Sequence, residues 1–156
     1  MKYTRLTKEQ FGELEKEFIT FLATQSITAE EWRDIKEKKP EVAEQELDVF
    51  SDLVWERALS KAEYLQSMAK DQLFLFHIAE DEMKLIAIKV NDPERDITTT
   101  EGFEWLQKNL MSDAVVIFKA TKPYTEDRNQ DVFDLIQQGA YITDGTVYEA
   151  VKPVVE

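Results

Sequence analysis

The chain has 156 residues, 43% of them hydrophobic, with four glycines, four prolines and no cysteine. That predicts one ordered domain over residues 1–156 and removes disulfides, thiolate metal sites and cysteine nucleophiles. Acids outnumber bases 32 to 19, a formal charge of −13, which argues against nucleic acid or anionic membrane as partners, because both need a basic face.

Thr7 and Gln10 form a capping-box pattern, after which Phe11, Leu14, Phe18, Phe21 and Leu22 recur at helical spacing to about Gln25. Thr28 with Glu31 repeats the signature for a shorter helix carrying Trp32 and Ile35, closed by Lys38-Lys39-Pro40. Pro40 suits the first turn of a third helix, which continues through Leu59. Ser60 and Glu63 offer another cap, predicting a fourth helix with Leu65 and Met68. From Gln72 the period changes. Leu73–Ile78 and Leu85–Val90, separated by Glu80-Asp81-Glu82, read as a β-hairpin whose consecutive apolar residues call for cover on both faces, by helices on one side and another layer or a second subunit on the other. A helix from Thr100, with Thr99 or Thr100 as cap, carries Phe103, Trp105, Leu106 and Leu110, and Ala114–Phe118 is a third strand. Thr125 is the expected cap of a last long helix with Val132, Phe133, Leu135 and Ile136, and Gly139 lies just past its end. Asp144-Gly145 reads as a turn before a short apolar element over 147–155. The expected class is α+β: an N-terminal helical half of about four helices, then a small sheet (a hairpin plus a third strand) with interspersed helices.

The third helix holds the most distinctive pattern. Between Pro40 and Glu56 there are six acids and no base, and Glu44, Asp48, Asp52 and Glu56 fall at successive i, i+4 positions. Like charges at that spacing cost a helix roughly 0.2–0.5 kcal/mol per pair, so water, a basic neighbour, a cation or a partner must offset them. With Glu41 and Trp55 they occupy a sector of about 120° on a helical wheel. Residues 1–39 carry eight acids and eight bases, so the whole charge excess lies beyond them. Lys36, Lys38, Lys39 and Arg57 are the expected neighbouring bases for a simply solvated face. As a docking strip, Glu44, Asp48, Asp52 and Glu56 would meet a basic partner with Trp55 as apolar anchor. As a metal site, Glu41, Glu44, Asp48 and Asp52 would hold Mg²⁺ or Mn²⁺. A bundle metal site draws ligands from a facing helix, and Glu9, Glu13 and Glu17 lie on the far side of the first helix from its apolar stripe. Glu41 and Glu44 match only half of the paired E-x-x-E pattern of magnesium-dependent nucleotide pyrophosphatases.

Elsewhere catalytic motifs are lacking. His77 is the only histidine, and the chain contains no G-x-S-x-G, no H-E-x-x-H and no glycine-rich phosphate loop; a structural or surface position is expected for it. The polar loops at Asp92–Glu101 and Lys122–Arg128 read as capping loops.

Pro40–Glu44, Glu46–Glu56, Phe74–His77, Gly102–Gln107 and Ile136–Ala140 together resemble an uncharacterised family of small acidic bacterial proteins, over nearly the whole chain. The resemblance implies a single-domain bacterial cytoplasmic protein and assigns no activity, catalytic residue or cofactor. The start Met1-Lys2-Tyr3-Thr4-Arg5 lacks a signal peptide's apolar run, which points the same way. The sequence-level expectation is a non-catalytic protein-interaction domain with no cofactor, binding a protein partner or a second copy of itself as a homodimer; a Mg/Mn-dependent hydrolase using the helix carboxylates, and an acidic nucleic-acid mimic, are the alternatives.

Overall fold

A computed structural model describes all 156 residues, Met1–Glu156. The chain divides into two compact units, Met1–Ser60 and Lys61–Glu156, and it is α+β, with helices first and a five-stranded sheet after them.

The first unit contains α1 (Lys8–Glu13), α2 (Glu15–Thr24), α3 (Ala29–Lys38) and nearly all of α4 (Pro40–Lys61). Thr7 makes the expected capping box with Gln10, and Thr28 caps α3 through the Glu31 N–H. The single first helix expected from Thr7 to Gln25 is two: Leu14 leaves the helical region (φ −106°, ψ 24°) and separates α1 from α2. An aromatic cluster fills the space between these helices. Phe18 meets Phe50 edge-on at 5.0 Å and Trp32 at 5.3 Å, while Phe11 stacks on Phe50 at 6.0 Å. Edge-to-face and stacked pairs of this kind contribute about 0.5–1.5 kcal/mol each beyond the area they bury.

In the second unit, the fourth helix expected from Ser60 does not form. α4 runs on to Lys61, and Tyr64–Ala69 is strand β1, because its residues pair in antiparallel register with β2 (Gln72–Ile78), Leu65 opposite Phe76 and Ser67 opposite Phe74. The expected hairpin is present as β2 and β3 (Glu82–Val90). α5 (Thr100–Lys108) is capped by Thr99. β4 (Val115–Pro123) is the expected third strand, five residues longer at its C-terminal end than the apolar run suggests. α6 (Arg128–Gln137) is capped by Asp127 rather than Thr125; the Thr125 backbone N–H and hydroxyl both bond the Asp131 carboxylate instead. Gly139, at φ 110°, closes α6 with the Gly139 N–H donating to Ile136 and the Ala140 N–H to Leu135, the double bond of a Schellman turn. β5 (Tyr141–Thr143) adds a short edge strand, and residues 146–155 form α7 (Thr146–Val155).

The strand order is β4-β3-β2-β1-β5, all antiparallel. On one face Leu73, Leu75, Ile86, Ile88 and Val90 form a buried core with Ile97, Leu106 of α5, and Tyr148 and Val151 of α7. The alternate residues Phe74, Phe76, Leu85 and Ala87 point the other way and are half-buried. No helix is long and apolar enough to cross a membrane.

Candidate functional site

The acidic row on α4 is occupied by the chain's own N-terminal segment. Arg5 lays its guanidinium across the first two carboxylates: Nε and Nη2 donate to Asp48 Oδ1 at 2.8 and 2.6 Å, Nη1 donates to the Glu44 carboxylate, and Nη2 also reaches the Glu44 carbonyl at 3.3 Å. One turn on, Asp52 accepts the backbone N–H groups of Lys2 and Tyr3 on its two oxygens, at 2.7 and 2.9 Å. Glu56 takes the Tyr3 hydroxyl and an ion pair with Lys2 at 3.6 Å. The segment is fastened from below as well, where Ser51, fully buried, accepts the Leu6 N–H at 3.1 Å and donates its own proton to the Leu47 carbonyl at 2.7 Å. Tyr3 and Leu6 are themselves buried. Charge-assisted bonds of this kind are roughly twice as strong as neutral ones, and here they answer the repulsion among carboxylates one turn apart.

The counter-charge therefore comes from Lys2 and Arg5. Of the bases expected there, Lys38 pairs with Asp34 on its own helix at 3.2 Å and Lys36 lies over the Trp32 ring. Glu41 is exposed in the first turn of α4, where the helix dipole favours a negative charge. Trp55 is half-buried. Glu9, Glu13 and Glu17 are exposed, as their wheel positions predict. No three histidine, aspartate or glutamate side chains converge as a metal-ligand set.

The electrostatics of the segment follow from this geometry. Bonds to Asp48 and then Glu44 raise the already high Arg5 pKa. Burial, and then the hydrogen bond to Glu56, push the Tyr3 hydroxyl up to about 12.

A second polar cluster lies in the other unit and was invisible to sequence reasoning. Strand register lines up Thr143, Tyr64, His77, Lys84 and Thr121 in one row across all five strands, on the face that α7 covers. Tyr64 stacks on His77 at 4.8 Å with 13° between the rings, and Tyr148 of α7 meets His77 at 5.4 Å. The Tyr64 hydroxyl donates to Glu149 at 2.7 Å, and that bond, with burial, pushes it up to about 12. Burial first, and then Lys84, hold His77 below its ordinary value. The unfolded chain therefore takes up a proton at His77 before the folded one does, so this group removes stability as the pH falls below about 6.5. His77 is thus packed against the rings of Tyr64 and Tyr148.

This is an α+β protein whose most distinctive surface is a row of helix carboxylates strapped by its own basic segment. The chain belongs to a family of unknown function, DUF6495, whose profile matches residues 1–156. No curated protein and no solved structure matches it.

Proposed function

We propose that the protein is a non-catalytic interaction domain of the bacterial cytoplasm that presents the acidic face of α4 to a basic protein partner. One observation carries this reading: Val49 and Leu53, one turn apart on α4, are 51% and 53% exposed beside the carboxylate row. On a wheel of about 100° per residue both fall within about 60° of Glu56, so apolar and acidic groups share one continuous surface. Charge supports the choice of partner. The strip holds five acids, Glu41, Glu44, Asp48, Asp52 and Glu56, against the two bases Lys2 and Arg5 that its N-terminal segment lays on Glu56, Glu44 and Asp48, and this excess of carboxylate favours a basic partner. A second copy would bring the same negative strip against itself. A hydrolase holding Mg²⁺ on Glu44 and Asp48 would first have to expel Arg5.

Asp48 and Asp52 fasten the N-terminal segment, so their loss would mix docking with stability; Val49 and Leu53 give a cleaner test. Partners captured from a cell extract are identified, purified and titrated calorimetrically against the full chain and against Val49→Asp with Leu53→Asp. A basic protein whose affinity falls by at least about 100-fold, with the helical circular dichroism unchanged, is the expected result, because truncating anchor residues typically costs about 2 kcal/mol or more. A partner bound equally well by the double variant, or a chain that merely self-associates, overturns the reading.

A further inference from the structure

The sheet's helix-covered face holds a concavity of about 430 Å³ into which two adjacent strands and one helix bring a set of lysines. Lys84 comes from β3, Lys119 from β4 and Lys152 from α7. Thr121 lies directly across from Lys84, and Lys119 across from Ile86, so the two strand lysines sit on the same side of the sheet on adjacent rungs. In a chain of charge −13 with only 19 bases, three lysines around one cavity run against the composition. Lys152 pairs with Glu156 at 3.9 Å, but neither Lys84 nor Lys119 has a carboxylate within ion-pairing distance. Glu82 and Glu156 also line the space, so three ammonium groups face two carboxylates and one positive charge is in excess. Tyr148, Ile86 and Val155 supply an apolar wall.

We propose that this cavity binds a small organic phosphate, its phosphoryl group held by Lys84, Lys119 and Lys152 with the Thr121 hydroxyl as a further donor, and its apolar body resting on Ile86, Tyr148 and Val155. Lysine serves phosphate as a mobile point charge, and three around one site match a dianion. A cavity of this volume lies within the usual range of small-molecule sites, with few polar groups set in an apolar wall. The depressed His77 pKa is consistent with this, since Lys84 and Lys152 both act on that ring from the same side of the sheet.

The probe is phenyl phosphate, titrated into the full chain by calorimetry and followed in ¹⁵N-labelled protein by NMR, with inorganic phosphate as competitor. Expected are saturable one-to-one binding, shifts centred on Thr121 and Tyr148, displacement by inorganic phosphate, and a loss of at least about tenfold in Lys84→Gln and in Lys119→Gln. Lys122→Gln removes the same charge from the opposite side of β4 and is expected to bind normally. Absence of saturable binding, shifts centred elsewhere, or an equal loss in Lys122→Gln overturns the proposal. The wild-type NMR map decides the matter even where a lysine variant fails to fold.

Discussion

Removing residues 1–6 is expected to destabilise the helical unit by about 3–6 kcal/mol, the transfer free energy of the buried Tyr3 and Leu6 side chains at roughly 1.5–3 kcal/mol each. That figure is an upper bound set by an extended unfolded chain. Truncation also strips Arg5 and Lys2 from the carboxylate row, which leaves Glu44, Asp48, Asp52 and Glu56 repelling one another at i, i+4. Denaturant unfolding followed by tryptophan fluorescence reads the effect, since Trp32 and Trp55 both lie in this unit and Trp105 in the other. The pH dependence has a definite sign. Tyr3 is raised in the folded state from 10.0 to about 12, so its contribution is complete below pH 10 and is lost as the pH climbs through 12. The full chain should show that alkaline loss, and the truncated chain should lack Tyr3's share of it. A truncation costing under about 1 kcal/mol would mean that the segment is not integral to the unit.

Gly102→Ala is expected to reverse the ordinary rule for helices. Replacing an interior helical glycine by alanine normally gains about 1 kcal/mol. In α5 a Cβ at position 102 would lie 1.8 Å from the Asp96 carbonyl oxygen and 2.5 Å from its carbon. Both are backbone atoms, held by the turn in which the Thr99 hydroxyl donates to the Asp96 carbonyl and the Thr98 N–H to the Asp96 carboxylate. Neither can swing aside, so α5 must shift from its bed, where Leu106 is buried and Trp105 stacks on the Arg95 guanidinium at 4.6 Å. The expected cost is about 3 kcal/mol, the upper end for overpacking. Thermal and denaturant unfolding monitored through Trp105 would measure it, and a stabilised variant would show the close approach to be absent.

What could be read from the sequence was what is encoded locally. The caps at Thr7, Thr28 and Thr99, the glycine stop at Gly139 and the β2–β3 hairpin all depend on residues within a few positions of one another. Ser60–Glu63 has the same local signature as a true capping box, yet Tyr64–Ala69 is a strand, because pairing with β2 outweighs a helix start that α4 has already run through. Thr125 was the expected cap of α6, yet Asp127 two residues on takes that place, because the Asp131 carboxylate claims the Thr125 N–H and hydroxyl. β5 is three residues long and carries too little pattern to be read. The candidate site divides in the same way. Four carboxylates at i, i+4 are a helix-period fact and were legible; their partners lie 39 to 50 residues away and were not. The one available clue was Lys2 and Arg5 in a short extended run just before a capping box. The row from Thr143 to Thr121 required four strand registers at once, which no local pattern supplies.

The most direct test of the strapped acidic row is the coupling between Arg5 and Asp48, measured by a double-mutant cycle of Arg5→Ala, Asp48→Ala and the pair in denaturant unfolding. The geometry predicts a favourable coupling of about 1–3 kcal/mol, as expected for a bonded neighbouring pair, and a smaller value in molar salt because the pair is partly exposed. Free energies that add within about 0.3–0.5 kcal/mol would contradict it, since additivity is the behaviour of residues that do not touch.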